Sequence, residues 1–86
     1  MQAIGRRMSQ QMIDDCVRRA LEQYFHDLGT EEPAGLHDMM VRSLERPLLD
    51  IVMSRAGGNQ SLAAKWLGIN RNTLRRKLLE HGLTGS

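Results

Sequence analysis

The sequence predicts an all-α fold of four helices. Apolar residues recur every three or four positions along two long segments, which is the period of an amphipathic helix, and no segment shows the alternation of a strand. Near the C-terminus, asparagine and glycine bracket two shorter segments as N-caps and helix stops do. With 86 residues, one domain spanning 1–86 is expected, and a core of this size is marginal for a lone monomer.

The first predicted helix runs from about Ser9 to Leu28. The Ser9 hydroxyl can accept a hydrogen bond from an amide of the first turn, and Gly29 ends the pattern before a polar loop. Residues 1–8 are expected to form a flexible N-terminus. The apolar stripe of this helix comprises Ile13, Val17, Ala20, Leu21, Tyr24, Phe25 and Leu28.

The second helical pattern runs from about Leu36 toward Arg55 and contains Pro47. Proline removes an amide donor and clashes with the preceding turn, so the run is either two helices or one kinked helix. The apolar period continues in phase across Pro47, which favours one helix kinked there. Its stripe comprises Leu36, Met40, Leu44, Leu48, Ile51 and Val52, widened by Met39 and Leu49.

These two helices, residues 9–56, are predicted to form a dimerisation core. Stripes this wide cannot be buried against two short helices, so the surplus apolar surface needs a second copy of the chain. Trp66, farther along the chain, is expected to anchor the helices from the interior.

Residues 59–82 are predicted to form a helix-turn-helix unit. Asn59 caps a helix from Gln60 to Leu67, Gly68 turns the chain, and Asn70 caps a second helix from Arg71 to about His81. The last residues, 83–86, are expected to be a loose tail. Small and apolar residues suit the contact between the two helices: Ala64, Leu67, Ile69, Leu74 and Leu78.

The charges indicate a polyanionic partner for this unit. Residues 1–58 carry seven basic and nine acidic side chains, whereas residues 59–86 carry five basic and one acidic. Because the N-terminus of a recognition helix enters the major groove, Arg71 suits a bidentate contact to guanine, and Asn70 can reach a base edge. Phosphate contacts suit Asn59, Ser61, Lys65, Thr73, Arg76 and Lys77.

At these residues the chain resembles the family of Fis, the bacterial factor for inversion stimulation. The matching stretches are ERPLLDIVM (45–53), GGNQSLAAKWLGINRNTLRRKL (57–78) and, more weakly, VRRALEQYF (17–25). The resemblance implies a nucleoid-associated homodimer with interlocked N-terminal helices, which bends duplex DNA and regulates transcription. It assigns guanine reading to Arg71, a base-edge contact to Asn70, and mainly backbone contacts to Asn59, Ser61, Thr73, Arg75 and Arg76.

The sequence departs from the family pattern at two places. After Lys77 the family often continues with basic residues, whereas this chain has Leu79 and Glu80, so flanking DNA is expected to contribute less. The segment before the first helix is shorter than the β-hairpin arm of enteric members, so a recombinase partner is not expected. RNA polymerase is a further candidate partner of a transcription regulator.

Other classes of function are disfavoured by the composition. The chain has a single cysteine, Cys16, and shows neither a signal peptide nor an apolar run long enough to span a membrane. These features favour a cytoplasmic protein, here at the nucleoid. His26, His37 and His81 are far apart and lack partners at ligand spacing, so no metal or other cofactor is expected. The sequence contains neither a nucleophile paired with a base nor a phosphate-binding glycine loop, so an enzyme is not expected.

Two alternatives remain open at this level. The chain could be the C-terminal output domain of a larger enhancer-binding transcription activator, which shares this helix-turn-helix, and the intact mass of the cellular protein would distinguish that case. It could instead be a helical interaction module whose basic face binds an acidic protein. Competition between such a protein and DNA for that face would separate the two functions.

Overall fold

The computed structural model describes residues 9–83, and every regular element in that range is an α-helix. The helices are α1 (Gln10–Leu28), α2 (Leu36–Arg55), α3 (Gln60–Leu67) and α4 (Arg71–Glu80). The predicted all-α fold of four helices is therefore confirmed. The predicted flexible N-terminus, residues 1–8, and residues 84–86 of the predicted tail lie outside the described residues.

The chain divides between Ala34 and Gly35 into two compact units, and α1 is the helix of the first. The Ser9 hydroxyl accepts a hydrogen bond of 3.3 Å from the backbone N–H of Met12, so Ser9 is the predicted N-cap. Gly29, at φ +70°, ends the helix by donating its N–H to the carbonyl of Phe25. No residue of α1 is buried, so its apolar stripe lies uncovered within this unit.

The second unit begins with α2, which continues through Pro47. The alternative of two separate helices is therefore excluded, whereas the kink at Pro47 stays a prediction. Proline has no N–H, so the carbonyl four residues earlier, that of Ser43, lacks its usual helical donor. The helix continues past this missing hydrogen bond, and Leu49 in its C-terminal half is buried in the core.

The core of the second unit draws on all three of its helices. Its side chains become buried where α2, α3 and α4 come together: Leu49, Ala56, Ala63, Ala64, Leu74 and Leu78. The apolar residues of α2, including members of the predicted stripe, are thereby divided between two faces. Leu49 lies in this core with Val52 and Met53 packed against it, whereas an outer set stays exposed: Val41, Leu44, Leu48 and Ile51.

Two expectations about side chains are corrected by the structure. Leu83 is not part of a loose tail, because its N–H donates to the carbonyl of Leu78 at 2.8 Å and its side chain packs against the core. Trp66 is not an interior anchor, since it is 53% exposed. The buried face of α3 belongs to Ala63 and Ala64, and Trp66 lies about 200° around the helix from Ala64.

Candidate nucleic-acid interface

The turn between α3 and α4 depends on Gly68. Its backbone is left-handed, at φ +75° and ψ +27°, a conformation that glycine adopts without the steric cost of a Cβ. Its N–H and that of Ile69 both donate to the carbonyl of Ala64, at 2.9 and 3.1 Å, which closes α3. The chain is then free to start α4 at Arg71, only two residues after Ile69.

Both α3 and α4 begin with asparagine caps, as predicted. The side-chain oxygen of Asn59 accepts from the N–H of Leu62 at 3.0 Å, and that of Asn70 accepts from the N–H of Asn72 at 2.7 Å. Asn59 and Asn70 are both exposed, so each N-terminal turn is open to solvent. Exposed N-terminal amides favour an approaching anion such as a phosphate.

The two sides of α4 differ sharply in character. Leu74 and Leu78 have no exposed surface and face the core. The helical period of 3.6 residues places Asn72 and Arg76 on the opposite, exposed side, with Arg71 and Arg75 together along one flank. Three arginines are thus presented to solvent by a helix only 10 residues long.

The exposed cations of this unit have few local partners. Arg76 Nε lies 3.7 Å from Glu80 Oε2, but these side chains are 65% and 47% exposed, so the pair is weak and readily exchanged. Among residues 9–83, Lys65, Arg71 and Arg75 form no ion pair. Their positive charge is consequently available to an external polyanion.

Two of the predicted contact residues, Ser61 and Lys65, lie on α3. Both are exposed, and their spacing of four residues puts them on one face of that helix. Thr73 on α4 is half-buried, with its hydroxyl in the first turn of the helix. The phosphate contacts assigned to these three residues stay predictions.

Lys77 lies apart from the other basic residues. Its Nζ is 2.8 Å from Glu45 Oε2 of α2, and only 27% of its side chain is exposed. Hydrogen bonds from Lys77, and next from His81, lower the pKa of the Glu45 carboxyl, against a smaller opposing effect of burial. Glu45 is therefore ionised at neutral pH and holds Lys77 on the α2 side of α4.

Three residues with contacts relevant to the site were not singled out from the sequence. Asn72 follows Arg71 in the exposed first turn of α4, and the sequence signal for it was simply that position. Glu45 and Arg46 reach α4 across more than 30 residues of chain. No local pattern in the sequence reveals a contact of that range.

Metal and membrane sites receive no support from the part of the chain that the structure describes. Across residues 9–83, histidine, cysteine and carboxylate side chains form no group of three that could hold a metal ion. None of the four helices in that range combines the length and the apolar character that crossing a bilayer requires.

The two asparagine-capped helices α3 and α4, joined at Gly68 and carrying a cationic exposed face, define a helix-turn-helix protein. A profile described as "Bacterial regulatory protein, Fis family" matches residues 40–81. The chain is 54% identical over 76 residues to a Fis-like DNA-binding protein of Ralstonia nicotianae, covering 88% of this chain and 99% of that protein. It is also 56% identical over 71 residues to Fis-like DNA-binding proteins of Neisseria meningitidis serogroups A and B, covering 83% of this chain and 90% of each relative. The chain belongs to the Fis family, which is a family of DNA-binding proteins and not of enzymes.

Proposed function

We propose that this protein is a homodimeric DNA-binding protein that inserts α4 into the major groove of duplex DNA and bends the duplex. The observation that carries the proposal is the exposed face of α4, which presents Arg71, Arg75 and Arg76 beside a solvent-open N-terminus. Helix-turn-helix proteins contact base edges with the first residues of their second helix. The names of the relatives agree with this assignment of DNA as the ligand.

Base reading is assigned to the first turn of α4. Arg71 is exposed at the first helical position, where its guanidinium can donate two hydrogen bonds to O6 and N7 of a guanine. Asn70 commits its oxygen to the helix cap, so its NH2 group is the part that meets an acceptor on a base. Asn72, exposed in the same turn, is a further candidate reader.

Phosphate contacts are assigned to the residues around this turn. Lys65, Arg75 and Arg76 supply charge, and hydroxyl or amide groups supply hydrogen bonds from Asn59, Ser61 and Thr73. Three cations from each of two subunits neutralise about six phosphates, which gives a slope of about −5 for log K against log salt. Most of the affinity is then independent of sequence.

A second copy of the chain is the proposed cover for the outer face of α2. Val41, Leu44, Leu48 and Ile51 are 44%, 50%, 51% and 59% exposed and follow one another at spacings of three and four residues. This is the pattern of a helix that packs along another helix. The uncovered stripe of α1 supports the same conclusion, because an apolar surface this long is costly to leave in water.

The DNA between the two contacted major grooves is not touched by the protein. We propose that sequence preference at this centre comes from the bending of the duplex. If two recognition helices lie closer than one helical turn of straight DNA, the intervening minor groove must narrow. That deformation costs on the order of 1–6 kcal/mol and is smaller at A/T-rich centres. Such a protein would act at the nucleoid as an organiser of DNA and a regulator of transcription.

The decisive experiment is a gel-shift titration of the purified chain with measurement of the bend. Duplexes carry guanines at both edges and either an A/T or a G/C centre. We expect one dimer per duplex, a bent complex, and tighter binding to the A/T centre although no protein group touches it. Equal affinity for the two centres would refute preference by deformation, and binding of one monomer to straight DNA would refute the dimeric bending protein.

A further inference from the structure

The C-terminal end of α4 is tied to α2 by a cluster of polar groups. The carboxylate of Glu45 has two partners at this end of α4. Its Oε2 lies 2.8 Å from Nζ of Lys77, and its Oε1 lies 3.0 Å from Nε2 of His81, the C-cap residue. Because an ionised carboxylate only accepts hydrogen bonds, Nε2 of His81 must carry the proton that it donates to Glu45. The neighbouring residue, Arg46, donates from Nη1 to the backbone carbonyl of His81.

These contacts are sheltered and directional. The side chains of Glu45 and His81 are only 19% and 5% exposed, so water and salt weaken the cluster less than they weaken a surface pair. Arg46 places a cation at the end of α4 where carbonyls lack helical donors and the helix dipole is negative. All four side chains thus converge on the last turn of one helix.

Apolar packing alone does not fix how α4 is rotated about its own axis against the rest of the core. Leu74 and Leu78 are fully buried, but the hydrophobic effect has no preferred direction and tolerates small rotations. Hydrogen bonds weaken steeply when their angles change. The turn at Gly68 holds the start of α4, and the Glu45 cluster holds its end, so together they define the direction of the helix.

We propose that Glu45 and Arg46 are positioning residues that fix the recognition helix, α4, relative to α2, and that Lys77 binds Glu45 instead of a DNA phosphate. The inference rests on the proposed function. It means that the distance between the two recognition helices in a dimer, and therefore the half-site spacing that the protein selects, depends on residues that never meet DNA.

Half-site spacing selectivity is the readout that distinguishes positioning from simple stability. Gel-shift titrations of the full chain would use palindromic A/T-centred duplexes with the two edge guanines at the best spacing, and with one base pair added or removed. For Glu45→Gln we expect the affinity ratio between the best and the altered spacings to fall about three- to tenfold. Asp50→Asn, which removes the same charge from an exposed position on α2, should keep the wild-type ratio.

The salt dependence of binding tests the role of Lys77. Lys77→Met should lose spacing selectivity as Glu45→Gln does, while its log–log salt slope stays at the wild-type value. Arg75→Met should do the reverse: its slope should become shallower by about 2, one phosphate for each subunit, with spacing selectivity intact. A slope for Lys77→Met that falls as much as that for Arg75→Met would show a phosphate contact and overturn the inference.

The outcomes separate the inference from the function beneath it. Circular dichroism and sedimentation would establish that each variant is folded and associated. If Glu45→Gln unfolds, Arg46→Met decides by the same spacing ratio, because it removes the carbonyl hydrogen bond and the cation at the end of α4 but leaves Glu45 in place. A wild-type chain that binds no duplex would refute the proposed function and the inference with it. If the wild-type chain binds duplex DNA and its spacing preference is unchanged in Glu45→Gln, the inference alone is refuted. The same holds for Arg46→Met where that variant decides.

Discussion

Asn70 and Asn72 are joined by a hydrogen bond of 2.7 Å, in which the backbone N–H of Asn72 donates to the side-chain oxygen of Asn70. The oxygen of Asn70 is thereby turned toward the protein, so the amide cannot present both of its polar atoms to one base. The same side chain therefore has two separable duties, to cap α4 with its oxygen and to donate to DNA with its nitrogen.

Two substitutions at Asn70 should separate these duties. Asn70→Ser keeps a capping oxygen but lacks the NH2 donor, so we expect nearly wild-type stability with reduced base preference. Asn70→Ala lacks both and should lose about 1 kcal/mol of unfolding free energy in addition. Urea unfolding and gel-shift titrations measure the two effects. Wild-type discrimination by Asn70→Ser would contradict the base contact.

Arg71 and Arg76 should respond differently to truncation. Arg71→Ala should cost about 1–3 kcal/mol on duplexes with edge guanines and relax the preference for them, because it removes a bidentate base contact. Arg76→Ala should weaken all duplexes to a similar extent, since a phosphate contact carries no sequence information. Affinities for specific and randomised duplexes give the specificity ratio. An unchanged ratio in Arg71→Ala would contradict its assignment as the guanine reader.

Glu80 should limit the contribution of flanking DNA. Its carboxylate is 47% exposed beside Arg76, so it repels phosphate and competes for that arginine. Glu80→Gln should tighten binding modestly on short and long duplexes alike, whereas Glu80→Lys should gain further on long duplexes only. Both gains should shrink as salt is raised. Asp50→Asn is the charge-matched control for Glu80→Gln. Equal gains of Glu80→Lys on short and long DNA would show that flanks are not involved.

The outer face of α2 should control association. Leu48→Glu introduces a charge into the exposed stripe and should destabilise the dimer by about 1.5–3 kcal/mol per subunit, the worth of one buried leucine. Sedimentation at micromolar concentration should then show monomer, and the unfolding midpoint of the wild type should rise with its concentration. Leu79 is also an apolar residue and is 62% exposed, but it lies on α4. The control variant Leu79→Glu should therefore stay dimeric. A folded wild-type monomer at that concentration would contradict the dimer.

Glu45 should make stability depend on acid pH. Lys77 chiefly, with His81, lowers the pKa of Glu45 in the folded chain below its ordinary value of 4.5, which we take for the unfolded chain. The stabilisation is thus present above about pH 4.5 and is lost as pH falls through the lowered folded pKa. Relative to wild type, Glu45→Gln should lose about 1–2 kcal/mol at pH 5.5 and much less at pH 3. A difference that stays constant between these pH values would contradict an ionised Glu45 in the cluster.

Helix bounds and caps were predictable because they depend on neighbouring residues. Ser9, Asn59 and Asn70 each bond an amide within three residues, and Gly29 and Gly68 end their helices through positive φ angles. The all-α fold follows from the same local signals together with the apolar period. The roles of the exposed residues on α4 remain predictions, since contact with DNA is not part of the chain's own geometry.

The sequence was a poorer guide to which face of each helix becomes buried. An apolar stripe broad enough for two partners does not reveal that Leu49 enters the core while Leu48 stays outside. Trp66 was misassigned because its size favours burial, although two alanines already occupy the buried face of α3. In the sequence, Lys77 is one more basic residue beside Arg75 and Arg76. Only the fold shows that Glu45, far away in the chain, lies beside it and forms an ion pair with it.

The exposure of Trp66 gives this protein an optical property. The chain has a single tryptophan, so all indole emission comes from one place on α3, next to Lys65. Because the ring is already half in water, unfolding should change the wavelength of that emission only modestly. A duplex that settles against Lys65 should instead quench or shift it directly. Fluorescence of the unlabelled protein is therefore better suited to following the arrival of DNA than to following denaturation.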